Sequence, residues 1–212
     1  VKRTVIRVLL TVLMVGALSS CLSTEASIDF SGDRTQLSLV YTIPRSVWDL
    51  GVFDEGSPER AIPVSERDAR ETAGLYDDVE LVRYALRRND DAVTIETIYR
   101  VGSDDSLAAL WGTIGSGHLV IDRERGTITV PIGAGIGSVD GDQRQLIADT
   151  FRDQTFSLEL RAPASIQGEP PQRPSGTVID GGSTSVFHWE VPMADLMLAE
   201  EPSEVRARWE VR

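Results

Sequence analysis

The chain has 212 residues, with 33 acidic side chains against 21 basic ones, a formal net charge of −12 and 41% hydrophobic residues. That balance excludes nucleic acid as a partner and opposes adsorption to anionic lipid headgroups, since both carry the same sign of charge. A single cysteine excludes an intrachain disulfide framework, so stability must come from a buried core, for which this length suffices.

That cysteine closes the stretch VIRVLLTVLMVGALSSC, residues 5 to 21. Lys2, Arg3 and Arg7 form a positive leader, and Val8 to Leu18 form an apolar run too short for a bilayer span, which takes about 20 residues. Leu18, Ser19, Ser20 and Cys21 resemble the bacterial lipobox, an aliphatic and two small residues before an invariant cysteine. The resemblance implies removal of residues 1–20 as a lipoprotein signal peptide and diacylglyceryl transfer to the Cys21 thiol, with N-acylation often following. Only a thiolate combines the required nucleophilicity with a thioether product stable to hydrolysis. Each buried methylene contributes roughly 0.8 kcal/mol, so two or three acyl chains hold a protein to a membrane without a spanning helix.

Residues 21–212 are then expected to be a single domain, tethered on the extracytoplasmic side of the cell envelope. Leu22 stands after the anchor where an Asp would signal retention in many diderm bacteria, which favours the outer membrane by resemblance to their sorting habit. Without the three leader cations the body carries about −15, and Lys2 is the chain's only lysine.

In chain order, period-two alternation dominates. Ala26, Ile28 and Phe30 lead through a Ser31-Gly32-Asp33 turn to Leu37, Leu39, Tyr41 and Ile43. Gly51 to Pro63 reads as a loop, and Ser65 to Ala73 as a short helix. A second hairpin turns at Asn89-Asp90-Asp91, joining Val79–Arg88 to a strand with Val93, Ile95, Tyr99 and Val101 on one face. Ser103 caps a helix through Leu107, Leu110 and Trp111. A third hairpin joins His118–Asp122 to Thr127–Pro131. A helix from Asp142 to Phe151 is expected to bury Leu146, Ile147, Thr150 and Phe151. Phe156, Leu158 and Leu160 form a strand, Pro163 to Pro174 a long loop, and Asp180-Gly181-Gly182 a fourth turn before Phe187, Trp189 and Val191. Met193 to Leu198 forms a short helix. The chain closes on a strand with Val205, Ala207, Trp209 and Val211. The pattern predicts an α+β fold: a mainly antiparallel sheet built from hairpins, with a few helices packed on one face.

The lipobox, the strand-turn-strand that follows it, and the closing Phe187-His188-Trp189-Glu190-Val191-Pro192 with Asp195-Leu196 resemble the LppM-type bacterial lipoprotein domain family. The resemblance implies an α+β envelope domain and a lipid or glycolipid ligand.

Catalytic motifs are sparse. Gly133, Gly135 and Gly137 are spaced G-x-G-x-G, not as a dinucleotide loop, and Ser116 beside His118 lacks a nucleophile elbow. His188 shares a strand face with Glu190. Asp140 and Asp142 resemble part of a calcium loop, but Phe151 stands where the closing Glu belongs. We therefore expect no enzyme, no metal and no cofactor beyond the lipid on Cys21; a hydrolase using unrecognised carboxylates is the exception, since two acids need no motif. The favoured reading is a binding module for an apolar or amphipathic, lipid-like ligand, its groove lined by Trp48, Trp111 or Trp189. The alternative is a structural or interaction lipoprotein that docks an envelope protein through its acidic surface or a sheet edge.

Mass spectrometry of the native protein is expected to show an acylated N-terminal peptide starting at Cys21, and Cys21→Ala to leave an unprocessed, unanchored product. A free thiol there would refute the anchor.

Overall fold

A computed structural model describes residues 23–49, 62–114, 117–132, 140–172, 174, 176–178, 185–199 and 203–211. Leu18, Ser19, Ser20 and Cys21 lie outside the described residues, as do most of the 51–63 loop and the turn at 180–182.

The hairpins form where the turn chemistry places them. Strands β1 (Ser23–Asp29) and β2 (Thr35–Pro44) pair antiparallel, with Ile28 opposite Leu37. The Asp29 carboxylate holds their turn by accepting from the Ser31 backbone at 2.8 Å. Strands β3 (Val79–Arg88) and β4 (Ala92–Val101) meet through Asn89, whose side-chain oxygen accepts from the backbone of Asp91 and Ala92 at 3.0 and 2.6 Å. Strands β5 (Val120–Asp122) and β6 (Thr127–Ile132) turn on Gly126, whose φ of +63° only glycine adopts cheaply.

Strands β7 (Thr155–Arg161), β8 (Ile166–Glu169), β9 (Thr177–Val178), β10 (Val186–Pro192) and β11 (Ser203–Trp209) complete two sheets. One has seven strands in the order β3-β4-β2-β1-β7-β10-β9, and the other has four in the order β5-β6-β11-β8. The fold is thus α+β and sheet-dominated, with three departures from the expected arrangement, the first being that the strands divide between two sheets that pack on each other instead of forming one sheet under helices. β1 and β7 pair in parallel, a contact between strands far apart in sequence that no turn signal encodes. The proline-rich segment from Pro163, expected to be loop throughout, contributes β8 as an edge strand, the position where prolines beside a strand are tolerated.

The buried face of the large sheet carries Ala26, Ile28, Leu37, Leu39, Ile43, Ile95, Leu158, Leu160 and Trp189; the small sheet offers Ile128, Val130, Val205, Ala207 and Trp209. All belong to one continuous core. The sheets meet where Phe30 stacks on Trp209 with ring centroids 5.3 Å apart, and where β8 approaches β10 so closely that a Cβ on Gly168 would lie 2.1 Å from the Phe187 ring. Each such side chain moved out of water contributes about 1.5–3 kcal/mol.

Helices α1 (Arg45–Trp48), α2 (Glu66–Ala73) and α3 (Asp104–Ile114) add Val47, Ala69, Ala73, Leu107, Leu110 and Trp111 to that core. Helix α2 begins at a complete capping box between Ser65 and Asp68, and α3 at the Ser103 hydroxyl, which accepts from the Ser106 backbone at 3.2 Å. Helix α4 (Gly141–Thr150) departs from expectation: none of its residues is buried and Leu146 is 57% exposed. Only Phe151, just past its end, enters the interior, and α4 packs against α5 (Met193–Met197). Val211 likewise falls outside β11 and is 53% exposed. No helix among the described residues is long and apolar enough to cross a membrane.

Gly168→Ala is expected to lower stability by about 1–3 kcal/mol, because the new methyl group must displace a ring packed between two sheets. An unchanged urea midpoint would mean that the sheets are not held at this spacing.

A candidate apolar groove along the edge strand β3

The three tryptophans singled out from the sequence do not converge. Trp189 is fully buried on β10, with Phe156 edge-on at 6.3 Å. Trp111 is 4% exposed and donates its indole N–H to the Pro131 carbonyl at 3.3 Å, so it fastens α3 to β6. Trp48 alone of the three is half-buried. It sits on α1, which packs on β2 and β4, whereas β10 lies three strands beyond β2, roughly 14 Å away at ordinary strand spacing.

Around Trp48 the core is thinly covered. Along the inward side of β3, Val79, Leu81, Tyr84 and Leu86 are only half-buried, whereas their partners on β4, Val101, Tyr99, Thr97 and Ile95, are at most 1% exposed. A strip of apolar surface therefore runs beside the edge strand and ends at the indole of Trp48. Arg88, next on the same face of β3, places its guanidinium 5.5 Å from the centre of that indole, a cation–π contact at the rim. Helix α1 is held there by the Arg45 backbone N–H, which donates to the Asp91 carbonyl in the β3–β4 turn at 2.7 Å.

Beneath the strip lies a group of hydroxyls that the sequence reading passed over. Tyr41, Tyr84 and Tyr99, three of the chain's four tyrosines, project onto the inward face of β2, β3 and β4 together with Thr97. Thr97 and Tyr99 are fully buried, and among the described residues neither hydroxyl makes a hydrogen bond of good geometry. The two hydroxyls are nonetheless near enough that a weak hydrogen bond with Thr97 holds back the rise of the Tyr99 phenol. Burial pushes the Tyr99 phenol up to about 12, and burial next to Tyr99 pushes Tyr41 higher still. A sequence signal existed: Thr97 interrupts the run of hydrophobic residues, Val93, Ile95, Tyr99 and Val101, on the inward face of β4.

The outer face of the large sheet holds the remaining polar candidates. His188 lies opposite Glu159 in the β10–β7 register, and Glu159 lies opposite Ser27. The Ser27 hydroxyl donates to the Glu159 carboxylate at 3.2 Å, and Arg161 donates to the same oxygen at 2.7 Å. The carboxylate thus stands between serine and histidine. A nucleophilic relay needs the imidazole in that place, to take the hydroxyl proton. His118 is exposed, and Gly115, Ser116, Gly133, Gly135 and Gly137 lie outside the described residues. Among the described residues no group of three or more His, Cys, Asp or Glu side chains could hold a metal ion. No family model matches the chain, and no curated protein matches it either.

The phenols set a pH dependence with a definite sign. The folded state holds Tyr99 neutral, so that contribution to stability is complete below pH 10 and is lost as pH rises from about 10 toward 12. The unfolding free energy is expected to stay level up to about pH 10 and then fall, with a shallower fall in Tyr99→Phe. A phenolate absorbance step for Tyr99 near pH 10 would show instead that its hydroxyl meets solvent.

Proposed function

We propose that this protein is a membrane-anchored bacterial envelope lipoprotein whose body is a non-catalytic binding module for an apolar or amphipathic, lipid-like ligand. The observation that carries the reading is the half-buried apolar strip of Val79, Leu81, Tyr84 and Leu86 leading to Trp48. Apolar side chains that line up at the rim of the core and stay partly open to water are suited to take the apolar part of a ligand. The resemblance to the LppM-type group, which rests on short motifs, points the same way.

The position of the strip agrees with the anchor. Ser23 is opposite Thr42, Thr42 opposite Thr94, and Thr94 opposite Arg87, so the start of β1 and the Arg88–Trp48 rim share one end of the large sheet. With Cys21 lipidated, two residues of chain, at most about 7 Å, separate the acylated residue from that end. The mouth of the groove would then face the bilayer, in keeping with an outer-membrane lipoprotein that takes its ligand from a membrane.

Docking of a protein partner by strand addition to β3 fits less well. β3 carries a bulge at Val82 together with Arg83 and Arg87, both paired to Glu96 at 3.3 and 3.5 Å, and bulges and charges on an edge oppose strand addition.

The protein, gently purified, is expected to retain host lipid, seen by native mass spectrometry as a mass above that of the acylated chain. Delipidation is expected to change tryptophan fluorescence, and Trp48→Phe to abolish that change while leaving the bound mass. If only the bare mass appears, and a panel of envelope lipids alters neither fluorescence nor melting temperature, the reading fails and a protein partner takes its place.

A further inference from the structure

The end of the large sheet that carries Ser23 also carries a pair of helices whose apolar side chains are partly left in water. The Ser23 hydroxyl accepts from the Thr155 backbone N–H at 3.4 Å. The neighbouring Gln154 donates its N–H to the Phe151 carbonyl at 3.1 Å, and its carbonyl accepts from the Met193 N–H at 2.8 Å. One short network therefore joins the start of β1 to the end of α4 and the start of α5. Helix α4 has ten residues and buries none of them, and isolated helices shorter than about 12–15 residues are marginal in water. Its capping box fixes only its first turn: the Asp140 carboxylate accepts from the Gln143 backbone at 2.8 Å, and the Gln143 side chain accepts in return at 3.1 Å. Leu146 stands 57% exposed on it. Where α4 packs on α5, Met193 and Leu196 lean on the core, while Ile147, Met197 and Leu198 are half-buried.

We infer that the α4–α5 pair is a second membrane contact, resting on a zwitterionic lipid surface beside the acyl anchor. This rests on the lipidation of Cys21 proposed above. Cys21 precedes Ser23 by two residues, at most about 7 Å of chain, so a bilayer that holds its acyl chains is within reach of these helices. The opposite end of the sheet is farther by the length of β1, seven residues or about 23 Å. An interfacial helix buries its apolar side only about 5–10 Å, to the boundary of headgroups and acyl chains, so the contact needs neither a spanning length nor a cavity. Charge selects the headgroup. Asp142, Asp149, Asp153 and Asp195 are exposed around the patch against Arg144 and Arg152, a net negative surface that anionic lipid repels. Ser23 also stands between this pair and the Trp48 rim, because β7 and β10 lie on one side of β1 and β2, β4 and β3 on the other. Anchor, rim and helix pair are three separate points, and three points fix the tilt of the body on the membrane.

The test places one environment-sensitive NBD label at Leu146→Cys in the lipidated protein, reconstituted in phosphatidylcholine vesicles with or without nitroxide-labelled lipid. Cys21 is the chain's only cysteine, and its acylation leaves the introduced thiol as the sole labelling site. Leu75→Cys is the reference, because Leu75 is 66% exposed and precedes β3 at the sheet end away from the anchor. Both are surface positions, so the label leaves the core intact. Label at 146 is expected to emit to the blue and to be quenched by nitroxide lipid, and label at 75 to keep its aqueous emission unquenched. Aqueous emission at 146, in protein that floats with the vesicles, overturns the inference and leaves the anchor standing. Blue emission without quenching also overturns it, because a second copy of the chain then covers the patch. Equal quenching at both positions does the same, since the body then lies on lipid without a preferred end. Protein that does not float with the vesicles overturns the anchor and the inference together.

Discussion

The indole of Trp209 lies nearly parallel to the ring of Phe30, and Arg123 sets its guanidinium over the same ring at 5.3 Å. Arg123 also donates to both oxygens of Asp104 at the start of α3 and to the Thr35 hydroxyl at 2.7 Å. One small knot thus joins β1, β2, the β5–β6 turn, β11 and α3, and it is where the two sheets are registered against each other. Its energy is mostly apolar: the arginine pair is partly exposed and contributes little alone, whereas the stacked rings shed a large area from water. The polar atoms supply direction, because a bidentate guanidinium tolerates few orientations.

From this knot follows the uneven cover of the large sheet. The small sheet lies over the part that contains β1, β7 and β10, through Phe30 and Phe187. The β3 and β4 side is left to α2, an eight-residue helix whose buried side chains are Ala69 and Ala73, and to α3, through Leu107 and Leu110. Alanines facing a sheet leave room, and tyrosines from β2, β3 and β4 occupy it. The half-buried strip and the hydroxyl group beneath it have one origin. The second layer is thick where two sheets meet and thin where short helices substitute for one.

The local part of this architecture was legible in the sequence and the non-local part was not. Asn89, Gly126 and Ser103 act through atoms within three residues of themselves, so their turns and caps could be read directly. Alternation also identified which side of β2, β4, β7, β10 and β11 is apolar. Alternation says nothing about what an apolar face meets, so it could not distinguish one sheet under helices from two sheets, nor reveal that β1 adds to β7 in parallel. Leu146 shows the reverse failure: helical spacing was present, yet α4 packs on a short helix that offers little surface. At the candidate site, Trp48 was named from its residue type alone. Thr97 and Tyr99 were missed because a reader of alternation treats a lone threonine as noise and a tyrosine as core filling.

A thinly covered strip is not simply a defect, because its place on the sheet coincides with the place of the proposed anchor. An acidic body is repelled by an anionic bilayer, so without a tether it would keep its distance from the membrane. With the proposed anchor on Cys21, two residues of chain would remove that freedom and leave orientation as the main variable. The row from Ser23 across Thr42 and Thr94 to Arg87 spans about 14 Å at ordinary strand spacing, so the anchor and the Trp48 rim face the same plane. In the proposed pose the partly buried strip of Val79, Leu81, Tyr84 and Leu86 would lie toward the lipid, and the acidic turns elsewhere would meet solvent.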